Sequence, residues 1–226
     1  MCFSATASFT ASAILLPVGL YSLNKAKQLD QPYWLFALYP LLFGIQQAFE
    51  GWLWLELDAG GGGNIRTPAW GFLFFSHLFW LAWVPLSCTF IETQAWKRKL
   101  FLSVTVAGTL LGLYLYVPAF VHEGWLRIDV VNGSILYNVG LLFEEHVSRF
   151  ALRVLYAFIV LIPLLLSSQR LVRYFGVLIL VSVIVAELIY TEVFISVWCY
   201  FAAVLSAYIL YMLVSLGRQP HAPGRP

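Results

Sequence analysis

Charge is what this sequence has little of. Lys, Arg, Asp and Glu make up 11% of its 226 residues, whereas a soluble surface carries roughly 25–35%. Too few charges are available to coat a globule of this length, which excludes a water-soluble domain and a disordered chain. A net charge of +2 leaves no basic footprint for DNA or RNA, so nucleic acid is excluded as a partner. There is no CxxCH for a covalent haem and no Gly-rich phosphate-binding loop. What is abundant is apolar surface: 61% hydrophobic and 17% aromatic residues, with a mean hydropathy of +0.83. The class this implies is an all-α integral membrane protein with the lipid bilayer as its main surroundings.

A helix needs about 20 mostly apolar residues to cross a bilayer core of roughly 30 Å. Seven stretches qualify, at about 8–23, 33–55, 68–90, 100–117, 150–166, 171–190 and 194–216. The expected architecture is one seven-helix transmembrane domain over 1–217, with a disordered cytoplasmic tail at 218–226. Lys25 and Lys27 follow the first stretch and no basic residue precedes it, which fits a retained helix better than a cleaved signal. Sorting Lys and Arg by side tests the count. Lys25, Lys27, Lys97, Arg98, Lys99, Arg170, Arg173, Arg218 and Arg225 fall on one side, and Arg66, Arg127, Arg149 and Arg153 on the other. The positive-inside rule then places the N-terminus outside and the C-terminus in the cytoplasm. Tyr33, Trp34, Trp52, Trp54, Trp70 and Tyr190 stand near span ends, as interfacial aromatics do. Trp80 and Trp83 lie deeper.

Four glycines, Gly60 to Gly63, make a flexible connector, after which Thr67-Pro68 reads as an N-cap and first helical residue. The long loop at 118–148 is different. Asn132-Gly133 separates two alternating apolar runs, the strongest short-range hairpin signal. An extracytoplasmic β-hairpin is expected, either as a lid over a pocket or as a structured connector. A short amphipathic helix with Leu141, Leu142 and Phe143 before Glu144 and Glu145 is expected to lead into the next span.

Ionisable groups inside a membrane cost about 2.5–3.5 kcal/mol each on insertion scales. Three fall inside the spans: Glu50, His77 and Glu187. At a rise of 1.5 Å per residue, they sit about 9, 13 and 6 Å below the outer span ends. Cys199 lies at a similar level, and Cys2 precedes the first span on the same side. Gln46 and Gln47 share a helical face with Glu50, at i−4 and i−3. Three readings of the buried acids are open. They act as interhelical glue; they line an outward-facing pocket for a small polar or cationic ligand, with Glu50, Gln46, Gln47, Glu187 and His77 as its residues; or Cys2, Glu50, His77 and Cys199 bind a transition metal. Sulfur, imidazole and carboxylate together suit zinc or copper, though no two of the four stand at ligand spacing. A Cys2–Cys199 disulfide competes with free thiols packed as small hydrophobes. The small faces Ser4-Ser8-Ser12, Gly108-Gly112 and Cys199-Ala202-Ala203-Ser206 are expected to pack helices closely.

Three strings carry a resemblance: Met1-Cys2-Phe3-Ser4-Ala5-Thr6-Ala7-Ser8-Phe9, Phe43-Gly44-Ile45-Gln46-Gln47-Ala48-Phe49-Glu50-Gly51-Trp52, and Ser196-Val197-Trp198-Cys199-Tyr200-Phe201-Ala202-Ala203. Together they resemble an uncharacterised family of bacterial polytopic membrane proteins, a domain of unknown function. The resemblance implies a bacterial cytoplasmic membrane location and brings no activity or ligand. It draws attention to Cys2, Gln46, Gln47, Glu50 and Cys199, and not to His77.

The last span has no Lys for a retinal Schiff base and no HxxxH for a zinc hydrolase. The leading expectation is therefore a non-enzymatic membrane protein that binds a small ligand or partner through a polar pocket in its outer half. The alternatives are a small transporter or channel with spans broken at Pro17, Pro40, Pro85 and Pro163, a metal-dependent membrane enzyme with Glu50 as general base, and a structural subunit contacting other membrane subunits.

Overall fold

The computed structural model describes residues 4–29, 32–60, 63–122, 124–142 and 148–218. Helix α1 is Ala5–Ala26. It starts where the Ser4 hydroxyl accepts the Ala7 N–H at 3.2 Å, satisfying one of the amides that a helix start leaves unpaired. Its buried residues Ser8, Ser12, Leu15, Gly19, Ser22 and Ala26 recur every three or four positions, a narrow seam of mostly small side chains. The seam packs on α3. A Cβ at Gly19 would collide with the backbone of Leu41, so glycine here sets how closely α1 and α3 approach.

Helix α2, Trp34–Ala37, and α3, Tyr39–Asp58, occupy the second expected span. The helix breaks between them because Pro40 has no N–H and its ring crowds the carbonyl four residues back. Helix α4, Arg66–Leu73, runs through a π-helical segment, Phe74–Phe79, into α5, Trp80–Ile91. Its start differs from the expected Thr67 cap. The helix begins at Arg66, and the Asn64 side chain caps it by accepting the Thr67 N–H at 3.1 Å. Asn outranks Thr as a cap.

Helix α6 is Ala95–Val121. A two-stranded antiparallel sheet follows, β1 Leu126–Val131 and β2 Ser134–Val139, with Val131 opposite Ser134 and Leu126 opposite Val139. Asn132 and Gly133 between them have φ of 51° and 70°, the left-handed pair of a type I′ turn, whose twist matches that of paired strands. Helices α7, Arg149–Leu166, and α8, Arg170–Ile189, complete an antiparallel pair. A 3-10 turn, Thr191–Val193, leads into α9, Phe194–Ser206, and α10, Tyr208–Gly217.

Among the described residues, six helical runs are long and apolar enough to cross a membrane: Ala5–Ala26, Arg66–Ile91, Ala95–Val121, Arg149–Leu166, Arg170–Ile189 and Thr191–Gly217. Helix α3 is long enough but carries Gln46, Gln47 and Glu50, which lower its hydropathy. The distribution of polarity is inverted relative to a soluble protein. Leu102, Val106, Leu110, Leu113 and Val117 of α6, and Val177, Val181, Ile184 and Leu188 of α8, are exposed, while Ser8, Ser12, Ser22, Gln46, Gln47 and Glu50 are buried. Such a continuous apolar exterior is a lipid-facing surface. The chain is a multi-pass membrane protein, an all-α bundle with one small sheet.

The small faces pack as expected. Cys199, Ala202, Ala203 and Ser206 are buried on α9. A Cβ at Gly108 of α6 would strike the Leu81 carbonyl, and one at Gly112 would stand 3.1 Å from the His77 carbonyl. The GxxxG pair therefore seats α6 directly on the π-helical segment and α5, as small residues do where packing replaces the hydrophobic effect.

Candidate functional site

The hairpin sits at the end of the bundle where α3 ends, α4 begins, α6 ends, and α7 and α9 begin. Side chains alternate along a strand, so Ile135, Tyr137 and Val139 of β2 all face inward and are buried. Tyr137 stacks on Phe72 at 4.8 Å between ring centroids. Arg149 Nη2 donates to the Val139 carbonyl at 3.1 Å and to Asn138 Oδ1 at 3.4 Å, tying the hairpin to α7.

Beneath the hairpin is a cavity of about 780 Å³. Its walls come from the π-helical segment, α6, β1, β2, α7, the 3-10 turn and α9. Volume and lining place it within the range of small-molecule sites, which are mostly apolar with a few polar groups. Leu115, Leu141, Leu152, Phe194 and Ile195 supply apolar wall; Ser76, His77, Arg149, Arg153, Tyr156, Glu192 and Trp198 supply polar groups. The π-helical turn brings Ser76 and His77 to the cavity, with His77 Nδ1 3.0 Å from Ser76 Oγ. Extra-wide turns of this kind occur often at functional sites.

Arg153 Nη2 donates to Glu187 Oε1 at 3.0 Å, a half-buried ion pair. Its guanidinium also lies 5.7 Å from the centre of the Phe194 ring. Among the described residues its buried Nε has no hydrogen-bond partner, and neither has the buried Trp198 Nε1. A smaller apolar void of about 40 Å³ lies deeper, between α3, α5, α7, α8 and α9. Tyr156, Trp198 and Cys199 line both spaces, and Tyr156 meets Trp198 edge-to-face at 5.1 Å.

The expected site residues separate into two groups. His77 and Cys199 line the cavity, and Glu187 stands beside it through Arg153. Glu50, Gln46 and Gln47 do not line it. They form a fully buried cluster between α3, α5 and α9. Ser196 Oγ donates to Glu50 Oε1 at 2.6 Å, and Gln47 Nε2 donates to Oε2 at 3.2 Å. Trp80 Nε1 donates to Gln46 Oε1 at 2.7 Å, which explains the deep Trp80. Trp83 likewise reaches inward, to the Leu35 carbonyl at 3.3 Å. Among the described residues no cation pairs with Glu50. Cys2 and the segment Phe143, Glu144 and Glu145 lie outside the described residues, so neither the Cys2–Cys199 pairing nor the amphipathic lead-in falls on them. Cys199 is a free thiol. Among the described residues no three His, Cys, Asp or Glu side chains gather in a metal-ligating group.

Two cavity-lining side chains were not singled out by the sequence reading. Arg149 and Arg153 counted there only as orientation charges, yet they stand one turn apart on the cavity wall. A signal existed. A helix N-terminus favours anions, and Arg149 opens α7 against that preference.

These features define a multi-pass membrane protein with an amphipathic cavity under a β-hairpin. The model of DUF6629, a family of unknown function, matches residues 1–224, and the chain belongs to that family. No curated protein and no solved structure matches it.

Proposed function

We propose that this protein binds a small organic molecule in the cavity beneath its hairpin, as a membrane receptor or carrier. The observation that carries the reading is the cavity itself: about 780 Å³, walled by seven separate elements, with polar groups set into apolar surroundings. In this reading the hairpin is the lid, and Arg149 holds it to α7. The α2–α3 run adds a seventh crossing to the six apolar ones. The asymmetry of Lys and Arg then puts the hairpin on the extracytoplasmic face, in keeping with a bacterial cytoplasmic membrane. Glu50 and its neighbours serve as an interhelical clamp behind the site.

The test is to purify the protein in mild detergent and identify co-purifying small molecules by mass spectrometry. A second preparation carries Ile195→Trp, which fills the cavity. A near-stoichiometric compound in the native protein that is lost in the variant is the expected result. Identical small-molecule content in the two, with the variant folded, would overturn the reading.

A further inference from the structure

We propose that the molecule bound here is an anionic amphiphile, a carboxylate or phosphate held at Arg149, Arg153 and Trp198 with an alkyl body along the apolar walls. This rests on the cavity being a ligand site and adds the chemical class of the ligand.

The argument begins with the polar atoms. Arg153 Nε and Trp198 Nε1 are buried with no partner among the described residues. Both are N–H groups that can only donate. A buried donor without an acceptor is costly, so the site is incomplete without acceptor oxygens. A cationic ligand would leave both groups stranded and would meet two guanidinium groups. The aromatic wall gives a cation no better seat, because the Phe194 ring is already faced by the Arg153 guanidinium at 5.7 Å. Glu187 offsets Arg153 through one nitrogen only, at 3.0 Å. Among the described lining residues Glu192 is the single acid.

Position supplies the next step. Arg149 is the first residue of α7, where the helix dipole disfavours a cation and favours an anion. An anion at this end of α7 would meet a favourable helix dipole. The remaining wall then decides the rest of the ligand. Leu115, Leu141, Leu152 and Ile195 offer nothing to a bare inorganic ion, and about 780 Å³ is far more than one needs. An alkyl chain uses that wall and reaches the cavity by partitioning through the surrounding lipid.

The experiment uses the full chain in zwitterionic-lipid nanodiscs, with empty nanodiscs as background. Displacement of 11-dansylundecanoate is measured with decanoate, decyl phosphate, decyltrimethylammonium, decanol and inorganic phosphate. The organic anions are expected to displace the probe at concentrations about tenfold lower than the cation or alcohol, as a charged hydrogen bond implies. Decanoate alone would identify a free-acid source, and decyl phosphate alone a phospholipid-like head. Arg153→Gln is expected to weaken anion binding about tenfold. Glu187→Gln, which releases Arg153, is expected to strengthen it, an effect a merely structural ion pair would not give.

Saturable binding that Ile195→Trp abolishes but that shows no preference for anions would overturn the inference and leave the cavity reading intact. Displacement by inorganic phosphate as good as by decyl phosphate would also overturn it. Absence of any saturable probe binding would overturn both.

Discussion

The two ends of the bundle use charge in opposite ways. At the end away from the hairpin, Glu92 follows α5 and is buried. Its Oε1 accepts the Thr93 and Gln94 N–H groups at 2.9 Å each, and its Oε2 accepts the Ser168 N–H at 2.9 Å. Lys97 Nζ adds a bond to Ser168 Oγ at 3.2 Å. One carboxylate thereby joins the α5–α6 turn to the α7–α8 turn. At the hairpin end, Arg153 and Trp198 line a large cavity, and Arg153 Nε and Trp198 Nε1 have no hydrogen-bond partner among the described residues. A charge that is saturated by its own chain holds structure together. A site left with unpaired donors is where we propose that a ligand binds.

The largest effect should come from breaking the saturated end. Glu92→Ala strands three backbone N–H groups, and at about 1 kcal/mol or more for each the loss is about 3 kcal/mol or greater. Thermal denaturation in detergent should show it, with the anion preference of the surviving folded protein unchanged. The same carboxylate predicts a pH dependence. Burial pushes the Glu92 carboxyl up, but hydrogen bonds from the Gln94 and Ser168 N–H groups, the Ser168 hydroxyl and the Thr93 N–H outweigh it and hold it below the usual carboxylate range. The unfolded chain then binds the proton more tightly. Glu92 stabilises the fold above the unfolded carboxylate value, near pH 4.3, and that contribution disappears as the pH falls through the lower folded value. Stability of the native protein and of Glu92→Gln should converge on acidification. A gap that widens would refute the assignment.

A smaller effect is expected at the junction of the two regions. Gly112 of α6 touches Leu78 and the His77 carbonyl. Gly112→Ala forces the π-helical turn to shift, at about 1–3 kcal/mol for an overpacked contact. Because that turn carries His77 into the cavity wall, probe binding should weaken along with stability. Normal binding at reduced stability would separate His77 from the site.

Next comes the buried cluster. Glu50→Leu removes the acceptor of Ser196 Oγ and Gln47 Nε2 and should cost about 2 kcal/mol, whereas Glu50→Gln keeps an acceptor and should cost under about 1 kcal/mol. Chemical denaturation of both variants tests this. If the two variants lose equal stability, the hydrogen bonds are not what Glu50 contributes.

Much of this could be read from the sequence because it is local. Apolar runs of bilayer length marked the helices, and Asn132-Gly133 marked the hairpin turn. Depth along a helix was also readable, as the expectation that Glu50, His77 and Cys199 share one level. The direction each faces was not readable, since it depends on which helix lies alongside. Glu50 turns toward Ser196 on α9, while His77 turns toward the cavity. The π-helical segment has no sequence signature, because Phe74–Phe79 differs from ordinary helix only in its backbone hydrogen bonds. Glu92 looked like a loop charge because its partner Ser168 is distant in sequence.

The smallest change tests the lid alone. Gly133 has a φ of 70°, a conformation that costs a residue with a Cβ about 1–2 kcal/mol. Gly133→Ala should therefore loosen β1 and β2 while leaving the helices intact, since the added Cβ meets nothing within 4 Å. Ile135, Tyr137 and Val139 hold the hairpin down by burial, so it should open more often without detaching. Faster hydrogen exchange at β2 amides, unchanged exchange in α3 and α8, and faster release of the dansyl probe are the expected results. Release at the native rate, with β2 exchange clearly accelerated, would mean that the ligand leaves by another route and that the hairpin is a wall of the cavity but not its lid.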